Sequence, residues 1–274
     1  MDTAQAAVYR DLAGRLTQEL KQALAKRDTT LAGVVLNVLL AWPDYCFRSE
    51  TVVHPRTHNT MAFVPAQFNE LEVMPKEREL IEICKREKAE GRKTLVYSVD
   101  TGTRDSTSRL KVLLEQDGFK VAVLRASVDA SRREEWIAEQ LDRGIDVLIT
   151  NPELMKTGLD LLEFPTILFL QSGCNVYSLQ PAARRSWRIG QKQPARMVYL
   201  GYANPSQMTC LGLMARKIMV SQSTSGDVPE SGLDVLNQDG DSVNVALARQ
   251  LVLSRTALLQ RLLRGPFFFG PSRR

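Results

Sequence analysis

Residues 94 to 124 read TLVYSVDTGTRDSTSRLKVLLEQDGFKVAVL, and the alternation inside this stretch decides the fold. The apolar run Thr94 to Val99 predicts a strand, Asp105 to Asp117 a helix, and Lys120 to Leu124 a second strand. The alternation extends in both directions. Upstream lies a helical stretch from Lys76 to Glu90. Downstream follow a helix over Ala130 to Arg143, strands at Asp146 to Thr150 and Thr166 to Gln171, a helix near Leu179 to Ser186, a strand at Arg196 to Tyr202 and a helix over Ser206 to Val220. Val147 to Thr150 and Ile167 to Leu170 are apolar throughout and do not alternate, which is expected when helices cover both faces of a sheet. The fold class predicted is α/β, a parallel sheet with helices on both faces.

Outside this unit the periodicity changes. Tyr9, Leu12, Leu16, Leu20 and Leu24 recur every three or four positions and form one stripe of an amphipathic helix over Thr3 to Arg27. A more apolar helix is expected from Thr30 to Ala41, stopped by Pro43. Residues 43–75 hold Pro43, Pro55, Pro65 and Pro75, lose periodicity and read as a long, mostly irregular connection, so a boundary is placed near residue 75. Three parts are expected: a helical linker segment over 1–75, the α/β lobe over 76–220, and a linker with a C-terminal helix and an aromatic tail over 221–274. The last part contains a Ser-, Gly- and Asp-rich stretch at Ser221 to Gly232, an amphipathic pattern at 242–264, and Phe267 to Phe269 between Gly-Pro pairs. That aromatic tail reads as a cap on a neighbouring apolar groove or as a partner contact.

Composition narrows the function classes. The 274 residues are 44% hydrophobic and 24% charged, a globular balance, and 36 basic against 31 acidic side chains give a net charge of +5, which fits a polyanionic partner without demanding one. Leu31 to Trp42 is the longest strongly apolar stretch and falls short of the roughly 20 residues a bilayer requires. No basic region followed by an apolar run opens the chain. The four cysteines are widely spaced and only His54 and His58 could join them, so no metal site is expected, and reduced thiols in a cytoplasmic protein are the simplest expectation.

The sharpest chemical signal is QPAARRSWRIGQKQPAR, residues 180 to 196, which holds Arg184, Arg185, Arg188, Lys192 and Arg196 and no acid. Arg185 and Arg188 stand three positions apart, so on a helix both guanidinium groups face one side and can grip one polyanion, a triphosphate being the natural target. Trp187 reads as packing, because nothing comparable lies beside it to build a stacking platform. Polar residues at the carboxyl ends of the predicted strands, Ser98, Ser127 and Thr150, fall on the edge where open parallel sheets bind ligands. Each alone is more simply a helix cap; the ordered set makes a site.

These motifs resemble the second RecA-like lobe of superfamily-two helicases, in the Swi/Snf-type translocase branch. Arg185, Arg188, Ile189, Gly190 and Gln191 match the family's sixth motif without a gap, and Asn175 stands where that branch has an Asn. Leu95 to Ser98 is similar to the fourth motif. Ala126-Ser127, with Ser131 and Arg133, is similar to the branch's Gly-Ser turn, and Thr150-Asn151 with Thr157-Gly158-Leu159-Asp160-Leu161 to the fifth motif. The chain departs from the pattern at Pro181, where the family has a Gln that here stands one place earlier as Gln180, and at Leu154-Met155-Lys156, which replaces an Ala-Gly-Gly run. The likeness covers about residues 76 to 220.

The resemblance implies a RecA-like motor lobe in which Arg185 and Arg188 are arginine fingers. It implies that Thr157, Gly158, Asp160 and Gln191 serve the nucleotide, and that Ser98, Ser127, Thr150 and Asn151 meet DNA backbone phosphates. A Walker A loop is missing: Gly91-Arg92-Lys93-Thr94 lacks the Gly-Lys adjacency and precedes a strand, and no DExx-type motif follows a suitable strand. ATP and magnesium are therefore expected only together with a first RecA-like lobe, duplex DNA is the expected partner, and the chain alone is expected to be inactive. The alternative is a non-catalytic RecA-like module that binds nucleic acid or protein. A Rossmann-type enzyme is disfavoured by the lack of a GxGxxG after the early strands.

Overall fold

A computed structural model describes residues 1–99, 104–155, 161–171, 186, 190–204 and 206–212. Two helices open the chain, α1 over Thr3–Ala25 and α2 over Thr30–Ala41. The Asp2 carboxylate accepts the Gln5 amide at 2.7 Å and satisfies one of the free donors of the first turn of α1. The predicted stripe of α1 is buried at Tyr9, Leu12, Leu16 and Leu20, against Leu31, Val35 and Leu39 of α2 and a fully buried Trp42.

Residues 43–75 depart from the irregular connection that was expected. They hold an antiparallel hairpin, β1 over Glu50–Val53 and β2 over Thr60–Val64, with a register irregularity between Val52 and Val53. Pro55 lies in the turn and Pro65 just beyond β2, where neither has to donate a ladder hydrogen bond, so the prolines bracket the hairpin instead of preventing it. Val52, Ala62 and Val64 turn inward and complete the core formed by α1 and α2.

From α3, Pro75–Ala89, onward the elements are β3 over Thr94–Tyr97, α4 over Thr107–Gln116, β4 over Val121–Leu124, α5 over Arg133–Asp142, β5 over Val147–Thr150, β6 over Thr166–Phe169 and β7 over Arg196–Tyr199. The five strands β3 to β7 form one sheet in the order β4-β5-β3-β6-β7, and every neighbouring pair is parallel. Alternate strand residues face opposite layers. Val96, Ile149 and Leu168 pack with Leu80 and Cys84 of α3 and with Leu110 and Leu114 of α4. Leu95, Leu148 and Ile167 pack with Ile137 of α5, with Phe164 and with Cys210 from helical residues 206–212. Burying both sheet faces is what removes the polar alternation from the strands, and the α/β architecture is as predicted. Of the helix expected near Leu179 to Ser186 only Ser186 is among the described residues; the whole of 221–274 lies outside them, as does the end of the helix expected over Ser206 to Val220.

Buried polar contacts join the first 75 residues to the sheet. Lys76 Nζ lies 2.9 Å from Asp44 Oδ1, both side chains less than a tenth exposed, and Gln207 Nε2 donates to the same carboxylate at 3.2 Å. Arg109 of α4 forks onto Glu77 through two bonds of 2.8 Å and sits 4.3 Å over the Phe47 ring. Tyr9 Oη donates to Ser206 Oγ at 2.7 Å. Each of these buried charges has an opposite partner, the condition under which burial is tolerated.

Candidate nucleic-acid interface

The carboxyl ends of β3, β4, β5 and β6 deliver Ser98, Ser127, Asn151 and Gln171 to one edge of the sheet. Below them an aromatic ladder crosses three strands. Tyr97 and Phe169 stand opposite each other in register, as do Phe169 and Tyr199, with ring centroids 5.2 Å and 4.5 Å apart. Offset stacking of this kind adds to area burial and stiffens the floor beneath the edge.

Residues singled out for phosphate contact divide into two groups. Ser98 has no exposed surface, and its Oγ donates to Gln171 Oε1 at 2.8 Å, while Gln171 Nε2 donates to Tyr45 Oη at 2.6 Å. Thr150 is equally buried, and its hydroxyl donates to the Leu124 carbonyl at 3.3 Å. Both hydroxyls are occupied in holding strand ends together. Ser127 is exposed and Asn151 half-buried. Asn151 bridges the loops after β3 and β5, since its Nδ2 donates to the Val99 carbonyl at 3.0 Å and its Oδ1 accepts the Glu153 amide at 2.8 Å.

The loop that carries Ser127 is braced from both sides. Arg133 donates to the Val128 carbonyl at 3.2 Å and to the Leu154 carbonyl at 2.8 Å, so it ties that loop to the turn after β5. Arg125, at the end of β4, is paired with Asp105 at 2.8 Å and with Ser108 at 2.8 Å. Burial acts to raise the Asp105 carboxyl, but the hydrogen bonds from Thr107 and Arg125 outweigh it and hold the group below the usual carboxylate range.

Arg185 and Arg188, together with Thr157, Gly158 and Asp160, lie outside the described residues. The ends of their segments are described, and they meet. Gln191 Nε2 donates to the Leu162 carbonyl at 2.9 Å and to the Ser186 carbonyl at 3.0 Å, and its Oε1 accepts the Gln193 amide at 2.9 Å. Gly190 beside it has φ +102°, a conformation that excludes most side chains, and its open side faces Leu162. The Gln191 amide is thus spent on the backbone.

The basic stretch is also not one continuous cationic surface. Arg196 reaches away to the opposite, amino-terminal edge of the sheet and pairs with Glu87 and Glu90, each at 2.8 Å. Buried Glu87 also accepts from Arg92 Nε at 2.6 Å and from Thr166 Oγ1, while Arg92 Nη2 donates to the Pro194 carbonyl at 2.6 Å. Burial works to raise the Glu87 carboxyl; the bonds from Thr166, Arg196 and Arg92 overcome it and keep the group low. This node clamps the far end of the stretch that carries the arginine pair. Sequence reasoning passed over Glu87, Arg92 and Gln171. Gln171 carried the same signal as Ser98, a polar residue closing an apolar strand, whereas the acid-base node joins residues about a hundred positions apart.

Among the described residues no group of three or more His, Cys, Asp or Glu side chains could hold a metal, and no helix is long and apolar enough to cross a membrane. Cys46 and Cys84 are buried free thiols pushed up to about 12 by desolvation, which keeps them unreactive. Cys210 is disulfide-bonded, contrary to the expectation of four reduced thiols.

No protein-family profile and no curated protein matches the chain. Among solved structures it is similar to the C-terminal part of the Fun30 ATPase domain, at 18% identity and a TM-score of 0.49, over 64% of this chain and 52% of that one. The chain therefore spans about half of that structure, and a likeness this distant bears on neither family nor activity.

Proposed function

We propose that this chain is the C-terminal, RecA-like motor lobe of an ATP-dependent Swi/Snf-type DNA translocase. In this reading Arg185 and Arg188 stabilise charge on the phosphate being transferred, in a nucleotide held with magnesium mainly by a first RecA-like lobe. The carboxyl edge of the sheet faces one strand of duplex DNA. The observation that carries the reading is the Gln191 anchor, since it fastens the RxxRIGQ segment to Leu162, the residue that follows the Thr157 to Leu161 segment. The described ends of the two stretches most similar to nucleotide-handling motifs, Gln191 with Ser186 on one side and Leu162 on the other, meet ahead of β6, and this contact supports the reading.

Within this reading the predicted contact residues take different parts. Ser127 is exposed and meets a backbone phosphate, and Asn151, whose amide bridges the loops after β3 and β5, contributes to phosphate contact from the half-buried floor beside it. Ser98 and Thr150 fix the strand ends that present them. Gln191 positions the arginine segment, and Thr157, Gly158 and Asp160 link nucleotide state to DNA grip. A second reading, a non-catalytic binding module, draws on Met155. Its side chain is fully buried where the resemblance calls for glycine and close backbone approach.

The two readings separate in a protein that carries both lobes. Arg185→Ala lowers DNA-stimulated ATP turnover about a thousandfold or more if the residue is an arginine finger. Unchanged turnover overturns the assignment and leaves the binding module.

A further inference from the structure

In an open parallel sheet, ligands enter the crevice at the carboxyl edge where successive connections run off in opposite directions. The strand order β4-β5-β3-β6-β7 puts that point between β3 and β6, since β3 leads through α4 to β4 on one side of the sheet and β6 leads to β7 on the other. Here the crevice is covered. Ser98 and Gln171, just past β3 and β6, are 0% and 5% exposed. The group seated on them is Tyr45, whose hydroxyl accepts from Gln171 Nε2 at 2.6 Å while Gln171 Oε1 accepts from Ser98. Arg104, in the loop after β3, donates to Asn37 of α2 and to Glu50 of β1. Beyond β4, by contrast, Ser127 stays exposed.

The covering unit has a core of its own. Its buried apolar residues, from Tyr9 to Met74, form one cluster and those of the lobe form two others; among the described residues only Leu40 packs against both the first cluster and one of the lobe's. The contacts across the seam are largely polar. Tyr45 meets Gln171, Asn37 and Glu50 meet Arg104, Tyr9 meets Ser206, and Gln207 Nε2 donates to the Leu40 carbonyl at 2.8 Å. Such contacts are exchanged for water at small net cost, and units joined by a polar interface move relative to one another by default. The buried Asp44–Lys76 pair lies beside the Met74–Pro75 junction, where the two units are continuous, so it holds the pivot while contacts farther from the junction part.

We propose that residues 1–75 are an autoinhibitory plug, with Tyr45 seated over the crevice between β3 and β6, and that duplex DNA engages the whole sheet edge only when the plug swings away; the proposal rests on the DNA-translocase reading. Displacement frees Gln171 Nε2 and the Arg104 guanidinium, both donors suited to a backbone phosphate. The free protein divides between plugged and open forms, and its apparent affinity for duplex is the intrinsic one reduced by the open fraction. Loosening the plug therefore tightens DNA binding, the opposite of what losing a merely structural contact does.

The test uses the full chain, a fluorescent duplex of random sequence at low salt, and two substitutions that change no charge. Tyr45→Phe removes the hydroxyl from Gln171 and keeps the ring; Asn37→Ala removes one partner of Arg104. Each should raise duplex affinity about threefold to tenfold, the worth of one hydrogen bond, and the two together about tenfold or more. A dye pair on Gln22→Cys of α1 and Ala138→Cys of α5, both exposed positions, reads the plug directly in the otherwise unaltered chain, and the dyes should move apart when duplex is added. A parent chain that binds duplex, with affinity equal or lower in both substitutions and an unchanged dye separation, overturns the plug and leaves the translocase reading standing. No binding by any of these chains at low salt overturns both.

Discussion

Replacing Glu87 with Gln removes one negative charge from a site where it balances Arg92 and Arg196, and the structure sets the size of the effect. The side chains of Glu87 and Arg92 are 6% and 5% exposed and 2.6 Å apart. The substitution leaves a buried guanidinium facing an amide. Breaking a buried pair from one side costs about 3 to 5 kcal/mol. Arg92 keeps the Pro194 carbonyl and Thr166 Oγ1 at 2.6 Å and 3.0 Å, which places the expected loss near the lower figure, about 3 kcal/mol. With a urea slope of about 2 to 3 kcal/mol per molar, the unfolding midpoint should fall by about 1 to 1.5 M.

The same variant carries a pH signature. The folded carboxyl of Glu87 lies below its unfolded value, which is near 4.3, so its contribution is fully present above that pH and disappears as pH falls through the folded value. Parent and variant should therefore differ by the full amount at pH 7 and converge on acidification below about pH 4. Urea titrations at pH 7, 5, 4 and 3, followed by circular dichroism, measure both effects. A midpoint shift under about 0.3 M at pH 7, or a gap that widens in acid, refutes the account of this node.

Further expectations concern the floor of the site and the contacts around it. Phe169→Ala removes the middle ring of the aromatic ladder and should cost about 3 to 5 kcal/mol in urea or thermal unfolding. Gly190→Ala places a side chain at φ +102°, and since the new methyl meets Leu162 only at ordinary contact distance, the cost of about 1 to 3 kcal/mol is conformational; differential scanning calorimetry reads it. Asp44→Asn should destabilise by about 3 kcal/mol or more because Lys76 stays buried and charged, whereas Asp44→Leu with Lys76→Met should restore most of the loss in the same unfolding assay.

The α/β lobe was legible because its strands are short, continuous apolar runs separated by helical stretches, a pattern that long periodic segments make plain. The first two helices were legible for the same reason, from the Tyr9 to Leu20 stripe and the apolar run that Pro43 ends. The hairpin at 50–64 was missed because each strand is four or five residues long, with prolines close by that suggested irregular chain. Its pairing is nonlocal and leaves no periodic mark.

At the candidate site the sequence indicated which residues stand at strand ends but not which way their polar atoms are used. Ser98 and Thr150 look like Ser127 in the sequence, yet both are buried, Thr150 within the pairing of β5 with β3 and β4 and Ser98 against Gln171, which Tyr45 holds from a distant part of the chain. Arg196 likewise counted toward a single basic surface until Glu87 and Glu90 were seen to neutralise it.

The most direct measurement of the central claim is ATP hydrolysis by this chain alone with magnesium, with and without duplex DNA at low salt, beside Arg188→Ala. The account predicts no turnover in any condition, because it assigns the phosphate-binding loop and the magnesium-binding acid to another lobe. Turnover by the parent chain that is lost in Arg188→Ala would show a complete nucleotide site within these 274 residues and would contradict it.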